Sequence, residues 1–239
     1  MTSKYEIVPF NEDNLQPRVA CALLLDTSSS MAKREKGATA PIDELNDGYE
    51  KFRGYLIEDD LASRRAEVAV VQFDSSARVA VPMQEGRTLP QHTFSASGST
   101  SMGAAINKAL DLIEARKAEY KEHGVEYYRP WIVVLSDGGP TDLDVFEPAV
   151  ERLTEVQNRK GVTVFPIGIG SSANMDALGR LSTQRNALPL AAVNFSAFFE
   201  WLSRTMSAVA DSQAMGSSDD SDAMSEQIQL PDVTGWVTT

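Results

Sequence analysis

Six apolar runs of strand length, most of them separated by segments of helical spacing, restrict this chain to few folds. Val19 to Leu25 (VACALLL) is apolar at every position, as a strand buried on both faces must be. Ala66 to Phe73 (AEVAVVQF) and Ala77 to Met83 (ARVAVPM) are joined by DSS alone, and so short a link permits only an antiparallel hairpin. Pro82 suits an edge strand, because its nitrogen cannot donate to a ladder. Trp131 to Leu135, GVTVFPIGIG and ALPLAAV supply the other three runs. Between them, apolar residues recur at helical spacing in four sets: Ile42, Leu45, Tyr49, Phe52 and Leu56; Met102, Ile106, Ala109, Leu110 and Ile113; Val145, Ala149, Leu153 and Val156; Phe195, Phe198, Phe199, Leu202, Met206 and Val209. NMDALGRLS reads as a shorter helix. The alternation predicts an α/β domain: a doubly wound, mostly parallel six-stranded sheet with one antiparallel edge strand and helices on both faces.

The pattern occupies residues 18–210, leaving an N-terminal extension, 1–17, and a tail, 211–239. In the tail Asp211, Asp219, Asp220, Asp222, Glu226 and Asp232 face no Lys or Arg, half of the chain's net charge of −12. Disorder is expected there up to about Glu226, with the apolar IQLPDVTGW either a docking peptide or a segment folded back on the domain. The net charge and a pI near 4.6 argue against nucleic acid or an anionic membrane as partner, since both are bound through basic patches. The start, MTSKYEIVPF, has no apolar stretch of signal-peptide length, and no run of about 18 apolar residues follows, so the cytoplasm is the expected compartment. The single Cys21 lies in an apolar run and reads as a buried structural thiol.

Two of the buried strands end abruptly in hard oxygen atoms. The first runs into DTSSS, with Asp26, Ser28 and Ser30 at alternate positions, and the fourth into SDG, with Ser136 and Asp137. Thr100, in GSTSM, stands just before a helix, and helix capping by this Thr is expected to contribute. In open α/β sheets, sites form at the carboxyl ends of the strands, which would bring these three loops to one edge. Turn chemistry, a nucleophile and a metal site are the readings such residues allow. Two carboxylates with three hydroxyls suit a hard divalent cation, Mg²⁺ first, with Mn²⁺ or Ca²⁺ as substitutes. Two isolated histidines, His92 and His123, and one cysteine do not make a zinc site.

The enzymatic alternatives lack parts. A metal-dependent phosphohydrolase of the haloacid-dehalogenase type needs a second acid two residues after Asp26, where Ser28 stands. A serine hydrolase needs a histidine base and the G-x-S-x-G elbow, and a phosphate loop needs G-x-x-x-x-G-K-[ST]; the chain has neither motif. GIGSSA, Gly168 to Ala173, reads as a strand end and helix cap. A purely structural cluster would leave two carboxylates facing each other with no counter-charge.

DTSSS, GSTSM and LSDG, in this order and at these places, resemble the three segments of the metal-ion-dependent adhesion site of von Willebrand factor A domains. The resemblance covers about residues 18–210. It implies that Ser28, Ser30 and Thr100 contact the metal, that Asp26 and Asp137 hold it partly through water, and that a partner protein's Asp or Glu completes the coordination. It implies a binding module rather than a catalyst. AKREKGATAP, Ala32 to Pro41, is a longer basic link beside the site than the family pattern has. Within the family, DTSSSM, PIDELNDGYEKF and LPDVTGW look like standalone bacterial proteins encoded near tellurite-resistance and stress genes, whose company is kinases or phosphatases; an adaptor for an AAA-type ATPase is the alternative context.

Overall fold

The computed structural model describes residues 6–34, 39–170, 173–190 and 195–211. Six strands form one sheet: β1 (Val19–Asp26), β2 (Ala66–Phe73), β3 (Ala77–Glu85), β4 (Trp131–Ser136), β5 (Thr163–Ile169) and β6 (Leu188–Leu190), in the order β3-β2-β1-β4-β5-β6. Every neighbouring pair is parallel except β2 and β3, the expected hairpin, so β3 with Pro82 is the antiparallel edge strand. All residues of β1, β2, β4 and β5 are buried, as runs without alternation require when helices cover both faces.

Helices α1 (Pro41–Glu58) and α6 (Phe195–Asp211) pack together on one face. Tyr49, Phe52, Phe198, Phe199, Leu202 and Met206 meet the odd-numbered residues of β1 there. The other face carries α3 (Met102–Glu122), α4 (Leu143–Asn158) and the short α5 (Met175–Gly179), with Ile106, Leu110, Phe146 and Leu153 against Ala20, Ala22 and Leu24. A single-turn helix, α2 (Ala62–Arg65), leads into β2. The cysteine, Cys21, is fully buried on the α1 face, and burial raises its thiol pKa, so it is a structural residue.

One expectation needs correction, and two gain detail. Val145 is 37% exposed, and Phe146 and Val150 fill the core from α4 instead, because the buried stripe runs through Phe146, Ala149, Val150, Leu153 and Gln157 and leaves Val145 to one side. The sixth strand is described over Leu188–Leu190, and Ala191 to Val193 of the expected run lie outside the described residues. Residues 6–17, within the expected N-terminal extension, are tied to the sheet. Val8 N donates to Met83 O (3.0 Å) and Met83 N to Glu6 O (3.1 Å), so this segment lengthens the β3 edge, and Ile7 and Phe10 pack on the α3 side of the core. The tail from residue 212 on lies outside the described residues, as do Phe195 and Val209 as side chains.

Candidate metal centre

Strand order reverses between β1 and β4, and the loops leaving these two strands carry the acids. The β1–β4 register pairs Leu25 with Leu135, so Asp26 and Ser136 end the strands side by side. Ser136 Oγ donates to Asp26 Oδ2 (2.5 Å), and Asp26 Oδ1 accepts from Ser28 N (2.8 Å), which fixes the carboxylate at the strand end. A 3-10 turn, Ser29–Ala32, then reverses the chain. It brings the Ser28 and Ser30 hydroxyls within 2.9 Å of each other, and Ser30 Oγ donates to Asp137 Oδ1 (2.7 Å). Thr100 joins them from the third loop: its Oγ1 lies 3.7 Å from where a side chain on Gly138 would begin. The Thr100 hydroxyl makes no hydrogen bond among the described residues, although Thr100 is buried. All five expected residues therefore gather at one edge of the sheet.

The cluster is short of positive charge. Asp26 is fully buried, and burial pushes its carboxyl up to about 6, with Asp137 adding to the effect. Asp137 is raised as well, by burial first; hydrogen bonds and the Lys33 ammonium pull it back only in part. Lys33 is the described part of the basic link's action on the site, for Arg34 pairs with Asp43 (3.1 Å) and residues 35–38 lie outside the description. Among the described residues no three Asp, Glu, His or Cys side chains are placed to hold a metal ion by themselves, so the hydroxyls are an essential part of any oxygen donor set here. His92 stacks on Phe94 (4.7 Å) and His123 on Phe10 (4.8 Å), and no hydrogen bond joins either to Ser28 or Ser30.

Several residues that hold the loops were not singled out in the sequence. Thr27, between Asp26 and Ser28, is fully buried; its N donates to Phe73 O (2.9 Å), its O accepts from Ser97 N (2.7 Å), and Gln72 Nε2 donates to its hydroxyl (3.0 Å). Ser29 donates to Gly98 O through both N (3.1 Å) and Oγ (2.8 Å). Gly98 has φ +73°, and a Cβ there would meet Ser75 Oγ at 2.3 Å, so the turn before Thr100 needs glycine. Thr141 clamps Thr100 in both directions: Thr100 N donates to Thr141 Oγ1 (3.0 Å), and Thr141 N donates to Thr100 O (2.9 Å).

The cap of α3 is a further correction. Neither Thr100 nor the N-cap residue Ser101 caps the helix with its side chain. Asp142, from the loop after β4, reaches across and accepts from Gly103 N (3.2 Å) and Ala104 N (3.0 Å). This frees Thr100 Oγ1 to face the acids. The helix start SMGAA has no acid in its first turn, and the acid that caps it stands 39 residues on, in GGPTD.

The comparisons agree with this architecture. Among solved structures, a von Willebrand factor type A protein from Catenulispora acidiphila superposes with TM-score 0.61 at 16% identity, covering 80% of this chain and 43% of that one. Proximal thread matrix protein 1 from the mussel byssus, with a zinc-occupied MIDAS motif, gives 0.52 at 16% identity over 80% of this chain and 48% of its own. The vWF domain of the type V pili tip protein Mfa5 from Porphyromonas gingivalis gives 0.59 at 12% identity over 81% and 96%. The chain thus spans less than half the length of the first two. A search of curated proteins returned no significant match. The family model of the von Willebrand factor type A domain matches residues 21–202, from β1 to the middle of α6, and the chain belongs to that family.

Proposed function

We propose that this domain is a metal-dependent protein-interaction module. The observation that carries this reading is the cluster of two buried carboxylates and three hydroxyls, built from three separate loops, with the Lys33 ammonium acting on Asp137 and, among the described residues, no cation acting on Asp26. Ser28, Ser30 and Thr100 would hold the ion by neutral oxygens, with Asp26 and Asp137 behind them; Mg²⁺ fits this hard donor set, and Mn²⁺ or Ca²⁺ would substitute. The zinc-occupied MIDAS of the mussel protein supports a divalent cation at the matching motif. When bound, the cation supplies an electrophilic coordination position for an Asp or Glu carboxylate of a partner protein. Leu143, 59% exposed, and Val145 stand on the first turn of α4 just after the site loop, an apolar rim for the partner to cover.

The family fold serves adhesion and interaction, which supports a non-enzymatic role. Among the described residues no helix is long and apolar enough to cross a membrane. The context we favour is a cytoplasmic bacterial stress or tellurite-resistance system, with a kinase, a phosphatase or an AAA-type ATPase as the partner. Titration of Mg²⁺, Mn²⁺ and Ca²⁺ into chelator-treated protein, followed by calorimetry, tests the core of the proposal. Saturable binding that disappears in Asp26→Ala and Asp137→Ala is expected. Binding unchanged in both variants would remove the site assignment.

A further inference from the structure

The opposite pole of the sheet holds a cavity of about 450 Å³ that the metal centre does not explain. Its walls come from the segment before β1, from α2 and from the turn after β3, and include Asp13, Leu15, Arg64 and Arg87. Leu15 is 71% exposed, more than any other large apolar side chain among the described residues. The Arg64 guanidinium has no hydrogen bond or ion pair there; only its carbonyl is used, accepting from Asn14 Nδ2 (2.9 Å) and from Arg18. Arg87 gives Nε to Glu85 (2.6 Å) and keeps its terminal nitrogens. Two guanidiniums and one carboxylate make this lining basic, on a chain of net charge −12.

The chain itself carries a matching occupant. Residues 212–239 include Asp219, Asp220, Asp222, Glu226 and Asp232, no basic residue, and the apolar stretch IQLPDVTGWV. Their point of departure is close. Helix α6 follows β6, runs antiparallel to the parallel strands and packs on α2, the helix that carries Arg64, so Asp211 ends at this pole. The length of chain from Asp211 to Ile228 has a reach of about 23 Å by flexible-linker scaling, ample for a neighbouring cavity.

We propose that the C-terminal segment folds back on its own domain at this cavity, with its carboxylates, Asp232 foremost, against Arg64 and Arg87, and the apolar side chains of 228–237 covering Leu15. Such docking would join the two ends of the chain at the pole remote from the metal centre. It accounts for an exposed leucine beside the Arg64 guanidinium, which has no ion pair among the described residues, and beside the terminal nitrogens of Arg87.

Amide hydrogen exchange on the full-length protein tests this. Amides of 228–237 are expected to exchange at least about tenfold more slowly than in an unstructured chain, at the same rate in dilute and concentrated samples. Arg64→Glu should return them to unstructured rates and lower the melting temperature no further than loss of the docked segment itself does, since no side-chain bond of the domain is lost. Leu15→Asp should do the same through the apolar contact. Unprotected amides in the unaltered chain would overturn the proposal. So would protection that survives both substitutions, or protection that vanishes on dilution, which would place the segment on a second copy.

Discussion

The two poles of the sheet bury acids in opposite ways. At the amino pole Glu67, 1% exposed, lies between two buried arginines, with Arg18 Nε at 3.3 Å and Arg116 Nε at 2.9 Å, and the Tyr120 hydroxyl donates to it at 3.0 Å. Arg18 also reaches Glu85 (3.2 Å) and donates to Asn14 O (2.6 Å), and Arg116 donates to Val8 O and Met83 O (2.8 Å each). Burial raises the Glu67 carboxyl even so, but every charge has a partner of opposite sign. At the carboxyl pole Asp26 is as deeply buried, and its neighbours are hydroxyls, a backbone N–H and another acid. One pole is a finished ion network and the other is a network with one charge missing. Burial alone therefore does not mark a functional acid; the absent counter-charge does.

Removing a charge should act with opposite signs at the two poles. Glu67→Gln removes the carboxylate that two buried guanidiniums share, leaving Arg18 to Glu85 and Arg116 to Glu119 (2.6 Å), and is expected to cost about 3 kcal/mol, the low end for breaking a buried pair from one side. Urea denaturation without added metal measures it. A loss under 1 kcal/mol would mean that water reaches the arginines and that the amino pole is not the closed network described.

The next largest effect belongs to the metal. At one hundred times the dissociation constant, a divalent cation should raise stability by about 2.7 kcal/mol, because it binds the folded chain alone. Asp137→Ala should remove most of this gain and Glu67→Gln should leave it intact, a difference that thermal melts with Mg²⁺ and with chelator will show. Equal gains in both variants would erase the distinction between the poles.

Protonation sharpens the same contrast. Asp26, held at about 6, binds its proton more tightly folded than unfolded, where an Asp titrates near about 3.9. Stability of the metal-free protein should therefore rise as pH falls from 7 through about 6, and the gain is complete once pH reaches the unfolded value. Asp26→Asn should remove the Asp26 share of this dependence, leaving that of Asp137 and Glu67, and make the metal-free protein more stable at pH 7 by about 2 kcal/mol. Urea melts of the two proteins at pH 5 and pH 7.5 with chelator isolate the term, since all other carboxyls are shared. A variant less stable than the parent at pH 7.5 would show that Asp26 carries a favourable charge even without metal.

The sheet was legible because β1, β2, β4 and β5 are buried on both faces, so apolarity alone marks them. The hairpin was fixed by its short link. The five oxygen residues were legible because strand ends bring side chains together by topology, which spacing reports. The bracing of the loops was not. Thr27, Thr141 and Asp142 act through backbone groups 46, 41 and 39 residues away, and no local pattern encodes such a partner. The attachment of the N-terminal segment was not legible for a similar reason: its few apolar residues, Ile7 and Phe10, gain meaning only beside β3 and α3.

Asp142 offers the smallest and most discriminating test of how the metal pole is built. Its carboxylate caps α3 from another loop, accepting from Gly103 N and Ala104 N, and so ties the Thr100 loop to the loop that carries Asp137. Loss of a capping acid costs about 1 kcal/mol, and less at high salt if the helix dipole contributes. Asp142→Ala should therefore lower stability by about that amount, a small effect beside the other predictions. Its effect on metal affinity should be larger in proportion, because Thr100 is held in place by Thr141 and Asp142 and its hydroxyl has no other partner. Asp142→Asn keeps one acceptor for the helix and should recover most of the stability and the affinity together. If Asp142→Ala lowers stability and leaves metal affinity untouched, Thr100 stands in place without the cap, and the loops of this pole are as self-contained as the arginine network of the other.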